Sequence, residues 1–317
     1  MNPIGGYFEL ELRNGEEYHK EAIRLNSGRN AFEYILRARR YKKVYLPYFT
    51  CDVMLEPIIK LQLKHEFYHI NEQLEPIFDF NKIGVDETFL YTNYFGIKSL
   101  EVLNLSRTCP NLIIDNSQAF FEKPLAEIDT FYSPRKFFGV PDGAYLFTSN
   151  RLNIDFEKDN SLKRLSHLLG RIENGAEESY AMFVQNDRSL IDQPIRLMSN
   201  LTQNLLKDID YEFIEKIRRT NFNYLHKAFG SLNVLKMDNE NDFTPMVYPF
   251  LFEKKGLRSY LIQNKIFVAQ YWPNVLDWCE KGEIENKFTQ SILSLPIDQR
   301  YTENHMQKVI DLISCYA

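Results

Sequence analysis

The sequence predicts an α/β fold: a three-layer αβα domain around a mostly parallel sheet, followed by a small C-terminal α/β domain. Three observations carry this. Short β-type runs alternate with helical patterns of about ten residues through the first half of the chain, the rhythm of parallel strands joined by crossover helices. One run, Asn111 to Phe121 (NLIIDNSQAFF), is apolar until it ends in Asp115, and strand ends are where open α/β sheets collect their ligand chemistry. At 317 residues the chain can bury a sizeable core, and one large plus one small domain is the natural expectation.

In chain order, Met1 to Arg24 mixes short apolar runs with acids and offers little chemistry. Leu25 to Phe32 (LNSGRNAF) is a loop running into a helix, with Asn26 or Ser27 as N-cap and Ala31, Tyr34, Ile35 and Ala38 on one face. Such a start can hold a phosphate on backbone N–H groups. Lys43 to Pro47 is a short strand, after which Thr50 or Asp52 caps a helix reaching about Leu63. Lys64 to Ile70 and Glu87 to Gly96 are further strands, and a helix from Ser99 leads to the Leu112 to Asp115 strand. Thr130 to Tyr132 and Ala144 to Thr148 are two more, separated by Ser133-Pro134-Arg135-Lys136 and the turn Pro141-Asp142-Gly143. Leu152 to Asp192 is helical and polar, and Arg196 to Phe229 is a long helical region with breaks. The last block begins near Leu232, with strands at Met246 to Phe252 and Ile266 to Tyr271 and a helix from Glu303 to Ser314 capped by Thr302. The expected organisation is a large domain over residues 1–195, a connecting helical region over 196–230 and a small domain over 231–317.

Composition excludes several classes. A net charge of −5, with no dense basic run apart from the helix-ending Arg37 to Lys43, argues against nucleic acid as the main partner. No apolar run has membrane-spanning length and no stretch has signal-peptide order, so neither a membrane partner nor export is expected. Cys51, Cys109, Cys279 and Cys315 are scattered without metal-ligand spacing, which fits free thiols in a reducing cytoplasm. His65 and His69 are four apart in a strand-like run, where that spacing is not the helical metal-binding one, and no metal is expected.

Lys136 lies on a short connection between two probable buried strands, flanked by Phe137 and Phe138. An ammonium beside that much apolar surface is discouraged from charging, and its neutral amine becomes a nucleophile of the kind that forms Schiff bases. The phosphate cradle, then Asp115 with Gln118, then Lys136 resemble, in that order, a pyridoxal-phosphate enzyme of fold type I. More narrowly they resemble the DegT/DnrJ/EryC1/StrS sugar aminotransferases, of which this would be a short and divergent member.

Gly28-Arg29-Asn30-Ala31 stands where that family has Gly-Thr-x-Ala, and Pro47-Tyr48-Phe49-Thr50 where it has Pro-x-x-Thr. Cys51 stands where a family aromatic often stacks on the pyridine ring, leaving Tyr48, Phe49 and Tyr94 as candidates. Asn93 to Gly96 resembles a glycine-ended strand terminus, and Ile114 to Ala119 the Glu-Asp-x-Ala-His/Gln-Ala motif. Ser133 precedes Lys136 by three residues rather than five, and Pro141-Asp142-Gly143-Ala144 replaces a glycine-rich turn. Ile195 to Ser199 resembles a Tyr-Arg-Met-Ser helix entry, but Pro194 replaces an Asn that in relatives reaches the partner subunit's phosphate, so Arg196 or Asn221 would have to substitute. Leu293 to Ile297 with Thr302-Glu303 resembles the C-terminal signature, and Tyr271 takes a substrate-facing His place.

The resemblance implies pyridoxal 5'-phosphate as cofactor and Lys136 as the Schiff-base and proton-transfer lysine. It implies Asp115 on the pyridine nitrogen, Gln118 near the ring phenolate, and Gly28, Arg29, Asn30 and Ser133 on the phosphate. It implies transfer of an amino group from an amino acid such as glutamate to a keto sugar, nucleotide-linked, in cell-surface polysaccharide or amino-sugar biosynthesis. A homodimer with sites near the subunit interface goes with it. A degenerate cofactor-binding or regulatory relative, or another reaction on the same cofactor, remain the alternatives.

Overall fold

Runs of β-branched and aromatic residues too short for helices become the strands of a sheet whose inner members are buried on both faces. The computed structural model describes residues 4–235, 237, 243–252 and 254–316. In chain order the first half holds β1 (Ile23–Leu25), α1 (Gly28–Arg39), β2 (Lys43–Pro47), α2 (Leu55–Lys60), β3 (Lys64–Ile70), β4 (Pro76–Ile77), β5 (Glu87–Thr92), α3 (Ser99–Thr108), β6 (Leu112–Asp115), β7 (Asp129–Tyr132) and β8 (Ala144–Phe147). The second half holds α4 (Ser166–Glu173), α5 (Gly175–Glu178), α6 (Tyr180–Arg188), α7 (Asn200–Lys207), α8 (Tyr211–Phe229), β9 (Tyr248–Leu251), α9 (Leu257–Gln263), α10 (Val275–Trp278), α11 (Ile284–Ser291), β10 (Ile292–Leu295) and α12 (Glu303–Tyr316).

Eight strands form one sheet in the order β1-β8-β7-β6-β5-β2-β3-β4. Strands β3, β2, β5, β6 and β7 are mutually parallel. β8 runs antiparallel to β7 and β1 antiparallel to β8, so β1 points the same way as the parallel block. The carboxyl ends of β1, β2, β5, β6 and β7 therefore share one edge of the sheet. The chain leaves β2 toward β3 and returns on the other side of β2 as β5, which makes that edge the switch point where such sheets bind ligands.

Alternation along the strands splits the core between two faces. Val44, Leu46, Leu90, Ile113 and Leu146 face the layer that contains Phe32 and Ile35 of α1 and Ile58 of α2. Tyr45, Phe89, Tyr91 and Ile114 face the other way and join Phe222, Tyr248, Phe250 and Leu295 of the C-terminal part in one continuous core. There β9 and β10 pair as a separate two-stranded antiparallel sheet, with α8 and α12 packed alongside.

The mostly parallel sheet predicted from the sequence is present, with corrections at its margins. β1, β4 and β10 were not anticipated. Ile266 to Tyr271, expected as a strand, contributes only an isolated bridge from Ala269 to Ser294. The expected helix after Pro47 is a tight turn at Asp52–Met54 followed by the short α2, and the chain reverses at Gln62 with φ of 55°. Helix in the 152–192 stretch begins at Leu162 with a single tight turn, the residues before it running beside Leu197 through a bridge from Lys158.

Candidate functional site

Each stretch singled out in the sequence leaves the shared carboxyl edge of the sheet. Ser27, in extended conformation with φ of −156°, caps α1 by accepting from the Asn30 amide. The two amides ahead of it, Gly28 and Arg29, find no acceptor among the described residues, as expected for the first turn of a helix. A Cβ on Gly28 would lie 3.6 Å from Ser117 Oγ and 3.9 Å from the Phe131 ring, so the opening of α1 sits directly against the ends of β6 and β7.

Asp115 closes β6 and is buried. Its Oδ1 accepts from the Ser117 amide at 2.8 Å. Burial pushes its carboxyl above the ordinary value, while the Ser117 hydrogen bonds and the Lys136 charge pull the other way. A carboxylate raised in this manner gains from a further cationic or N–H partner. Three residues on, Gln118 is buried, and its Oε1 accepts from the Phe95 amide at 2.7 Å. That fixes the amide orientation and leaves Nε2 as a donor with no partner among the described residues. Gly96, at φ of +72°, packs so tightly under this segment that a Cβ would come within 2.7 Å of the Gln118 carbonyl.

Ser133 follows β7 and is nearly buried, and Pro134–Lys136 form a single tight turn. The expected burial of Lys136 is not found: its side chain is exposed, while the adjoining Phe137 and Phe138 are buried in the core. The turn sends the two aromatics inward and the lysine outward, over the edge of the sheet. Lys136 Nζ lies 5.8 Å from the centre of the Tyr271 ring. Its charge also reaches the Cys51 thiol, which burial pushes up to about 11. Amine, Asp115, Cys51 and Tyr271 thus form one constellation. Behind it, the Phe137 carbonyl accepts from Gln299 at 2.9 Å and from the buried Arg218 at 3.5 Å, which fixes the backbone that carries the lysine.

Other expected residues are committed elsewhere. The Asn30 side chain donates to Asn26 Oδ1 at 2.8 Å and to the Pro194 carbonyl at 2.9 Å, so it ties α1 to the 194–196 segment. Phe49 and Tyr94 pack into the core with Trp272, and Tyr48 stacks on Phe67. Asn221 cannot substitute for the missing phosphate ligand, because its amide donates to the Ile297 and Tyr301 carbonyls. Arg196 pairs with Gln193 and lies 4.0 Å from Glu157.

Over nine-tenths of the chain superimposes on solved sugar aminotransferases. DesV of S. venezuelae, solved with a ketimine intermediate, matches with a TM-score of 0.64 and 16% identity over 93% of this chain and 84% of its own. A DegT DnrJ EryC1 StrS aminotransferase from Brucella abortus gives 0.64 and 15% over 93% and 85%. NtdA from Bacillus subtilis, with bound PMP, gives 0.63 and 14% over 92% and 72%. The chain has the fold of the sugar aminotransferases. No protein-family model and no curated protein matches the sequence.

Within this aminotransferase fold two side chains emerge that sequence reasoning passed over. Ser117 brings a hydroxyl between Asp115 and the start of α1. Arg135 pairs with Asp187 at 3.0 Å; burial holds its guanidinium below the ordinary value and the nearby Arg29 adds to this. Arg29 in turn is buried and paired with Glu56 at 2.5 Å. Two guanidiniums, each paired with a carboxylate, thus lie near one another at that end of the site. The signal was available, since Arg135 adjoins Lys136, but an arginine beside a lysine also reads as an ordinary surface pair.

Proposed function

We propose that this chain is a pyridoxal-phosphate-dependent aminotransferase that moves an amino group from an amino acid, glutamate, to a nucleotide-linked keto sugar. The product would serve cell-surface polysaccharide or amino-sugar biosynthesis in the cytoplasm. The observation that carries the proposal is the convergence of the Lys136 amine, the buried Asp115 carboxylate and the acceptor-free Gly28 and Arg29 amides on one sheet edge. Solved neighbours of this fold include the PLP and PMP forms of Spr1654 from Streptococcus pneumoniae.

The residues suit the cofactor at both ends. Gly28 and Arg29 amides, with the Ser133 and Ser117 hydroxyls, would hold the phosphate at the positive end of α1. Asp115 would hold the proton on the ring nitrogen, relieving the burial that raises its own carboxyl. Gln118 would donate its free amide N–H near the ring oxygen. Bound there, pyridoxal phosphate supplies an electron sink for negative charge at the substrate carbon. Lys136, exposed at the mouth of the site, is free to carry the cofactor and then to move a proton at that carbon. Tyr271 beside it would face the sugar.

The same reading includes a homodimer. Ile172, Tyr180, Leu169 and Phe183 on α4–α6 are exposed apolar residues, and a second copy is the occupant proposed for that face. The reading also divides the chain into a large domain over 1–195, a connecting helical region over 196–230 and a small domain over 231–317; the placement of β1–β8 in the first segment and of β9–β10 in the third supports it.

The test is an absorbance spectrum of protein with added pyridoxal phosphate, wild type beside Lys136→Ala. A visible-edge band that shifts on adding glutamate and is absent from the variant is expected. Folded wild-type protein without the band overturns the enzyme reading. That outcome favours a degenerate relative, to which Cys51 in the stacking place would then belong.

A further inference from the structure

His69 on β3 and Glu283 and Glu285 at the start of α11 each offer one ligand atom, and these atoms all lie within 4.8 Å of one another. The cluster sits on the seam between the eight-stranded sheet and the C-terminal part, away from Lys136 in sequence and role. We propose that it is a divalent transition-metal site that clamps α11 to the sheet.

Glu285 carries the argument. Its side chain is 0% exposed. Oε1 accepts from the Ile70 amide at 2.8 Å and meets His69 Nδ1 at 3.2 Å. Oε2 is buried without any partner among the described residues. A buried carboxylate oxygen with no donor is costly, and the favourable resolution is a cation. Acids at a helix N-terminus suit the dipole, but that explains why Glu283 and Glu285 are tolerated, not why a buried oxygen is left unpaired.

Geometry points the same way. His69 Nδ1 lies 3.2 Å from Glu285 Oε1, and its Nε2 lies 3.7 Å from Glu283 Oε1. This is long for a hydrogen bond. Two ligands about 2.1 Å from one ion at a tetrahedral angle would lie about 3.4 Å apart. An ion bound at Nδ1 beside Oε1 would also bring the unpaired Oε2 of the same carboxylate within reach as a ligand. A mixed imidazole and carboxylate set favours zinc-like ions over calcium or magnesium. His69 and Glu283 keep 43% and 35% of their side-chain surface, so solvent can supply the remaining ligand.

The experiment uses tag-free, chelator-treated full-length protein without added pyridoxal phosphate, so its outcome is separate from that of the enzyme reading. Zn²⁺ binding is measured by equilibrium dialysis with metal analysis and by thermal melting. A single saturable Zn²⁺ per chain and a raised melting temperature are expected. His69→Asn and Glu283→Gln, both at partly exposed side chains and checked for folding by circular dichroism, should each weaken binding about tenfold or more. Absence of saturable binding overturns the site. So does binding that both variants retain at wild-type affinity, since the ion would then lie elsewhere.

Discussion

His19 is held in a place where a charged imidazole is not accommodated. It is 4% exposed, its Nε2 meets the Phe120 carbonyl at 2.7 Å, and its ring lies 4.1 Å from that of Tyr132. Burial lowers it to about 4, with the Phe120 contact opposing. The folded state therefore resists protonation while the unfolded chain takes a proton near 6.5, and stability rises with pH across that window. The contribution is complete above about pH 6.5 and is lost progressively as pH falls toward 4, on the order of 3 kcal/mol in total. Urea midpoints measured from pH 7 to 4 should fall, and His19→Gln, which retains a donor for Phe120, should flatten the slope. A wild-type profile no steeper than the variant's would contradict this. Lys136 illustrates the opposite difficulty at the same scale. Its apolar neighbours are visible in the sequence, but adjacent side chains in a tight turn point in different directions, and the burial of Phe137 and Phe138 does not extend to the lysine.

At the level of elements, α8 acts on the turn that carries Lys136 through one side chain. Arg218 is 1% exposed, donates to the Met246 carbonyl at 2.9 Å and the Pro245 carbonyl at 3.3 Å, and lies 4.6 Å from the centre of the Phe137 ring. Burial lowers its guanidinium to about 10. Arg218→Met would leave those two carbonyls without this donor and Phe137 with Gln299 alone, at a cost on the order of 3 kcal/mol in urea unfolding. A midpoint within error of wild type would refute the assignment. Legibility at this scale followed strand length. β2, β3, β5 and β6 are long or apolar enough to declare themselves, and Asp115 is recognisable because it ends one of them. β1 has three residues and β4 has two, less than a pattern needs, and both are held by partners distant in sequence or by an edge. Ile266 to Tyr271 carries strand-like residues, yet no neighbouring strand offers it a ladder. The opening of α1 was readable as a loop-to-helix start, whereas the engagement of Asn30 by Pro194 depends on a segment more than a hundred residues away.

At the scale of the whole molecule, the apolar face of α4–α6 predicts association. Ile172 is 80% exposed, and sedimentation at micromolar concentration should give a dimer that Ile172→Asp weakens about tenfold. A wild-type chain that stays monomeric would refute the dimer. One more consequence belongs to β1, which pairs Ile23 with Leu146 and then meets Leu197 through Leu25. Both partners are made long after it, so a ribosome must deliver well over a hundred further residues before this short strand has anywhere to go. The parallel block with Asp115 can assemble during that interval and receive α1 against β6 and β7, but residues 24–26 ahead of the helix are tethered only when the 143–146 and 196–198 segments arrive, a closure of long loops that is slow by its topology. The lead into the helix end that would grip an anion is thus the last part to be tied down, and a nascent chain stalled before β8 would carry the acid beside a helix still loose on its upstream side.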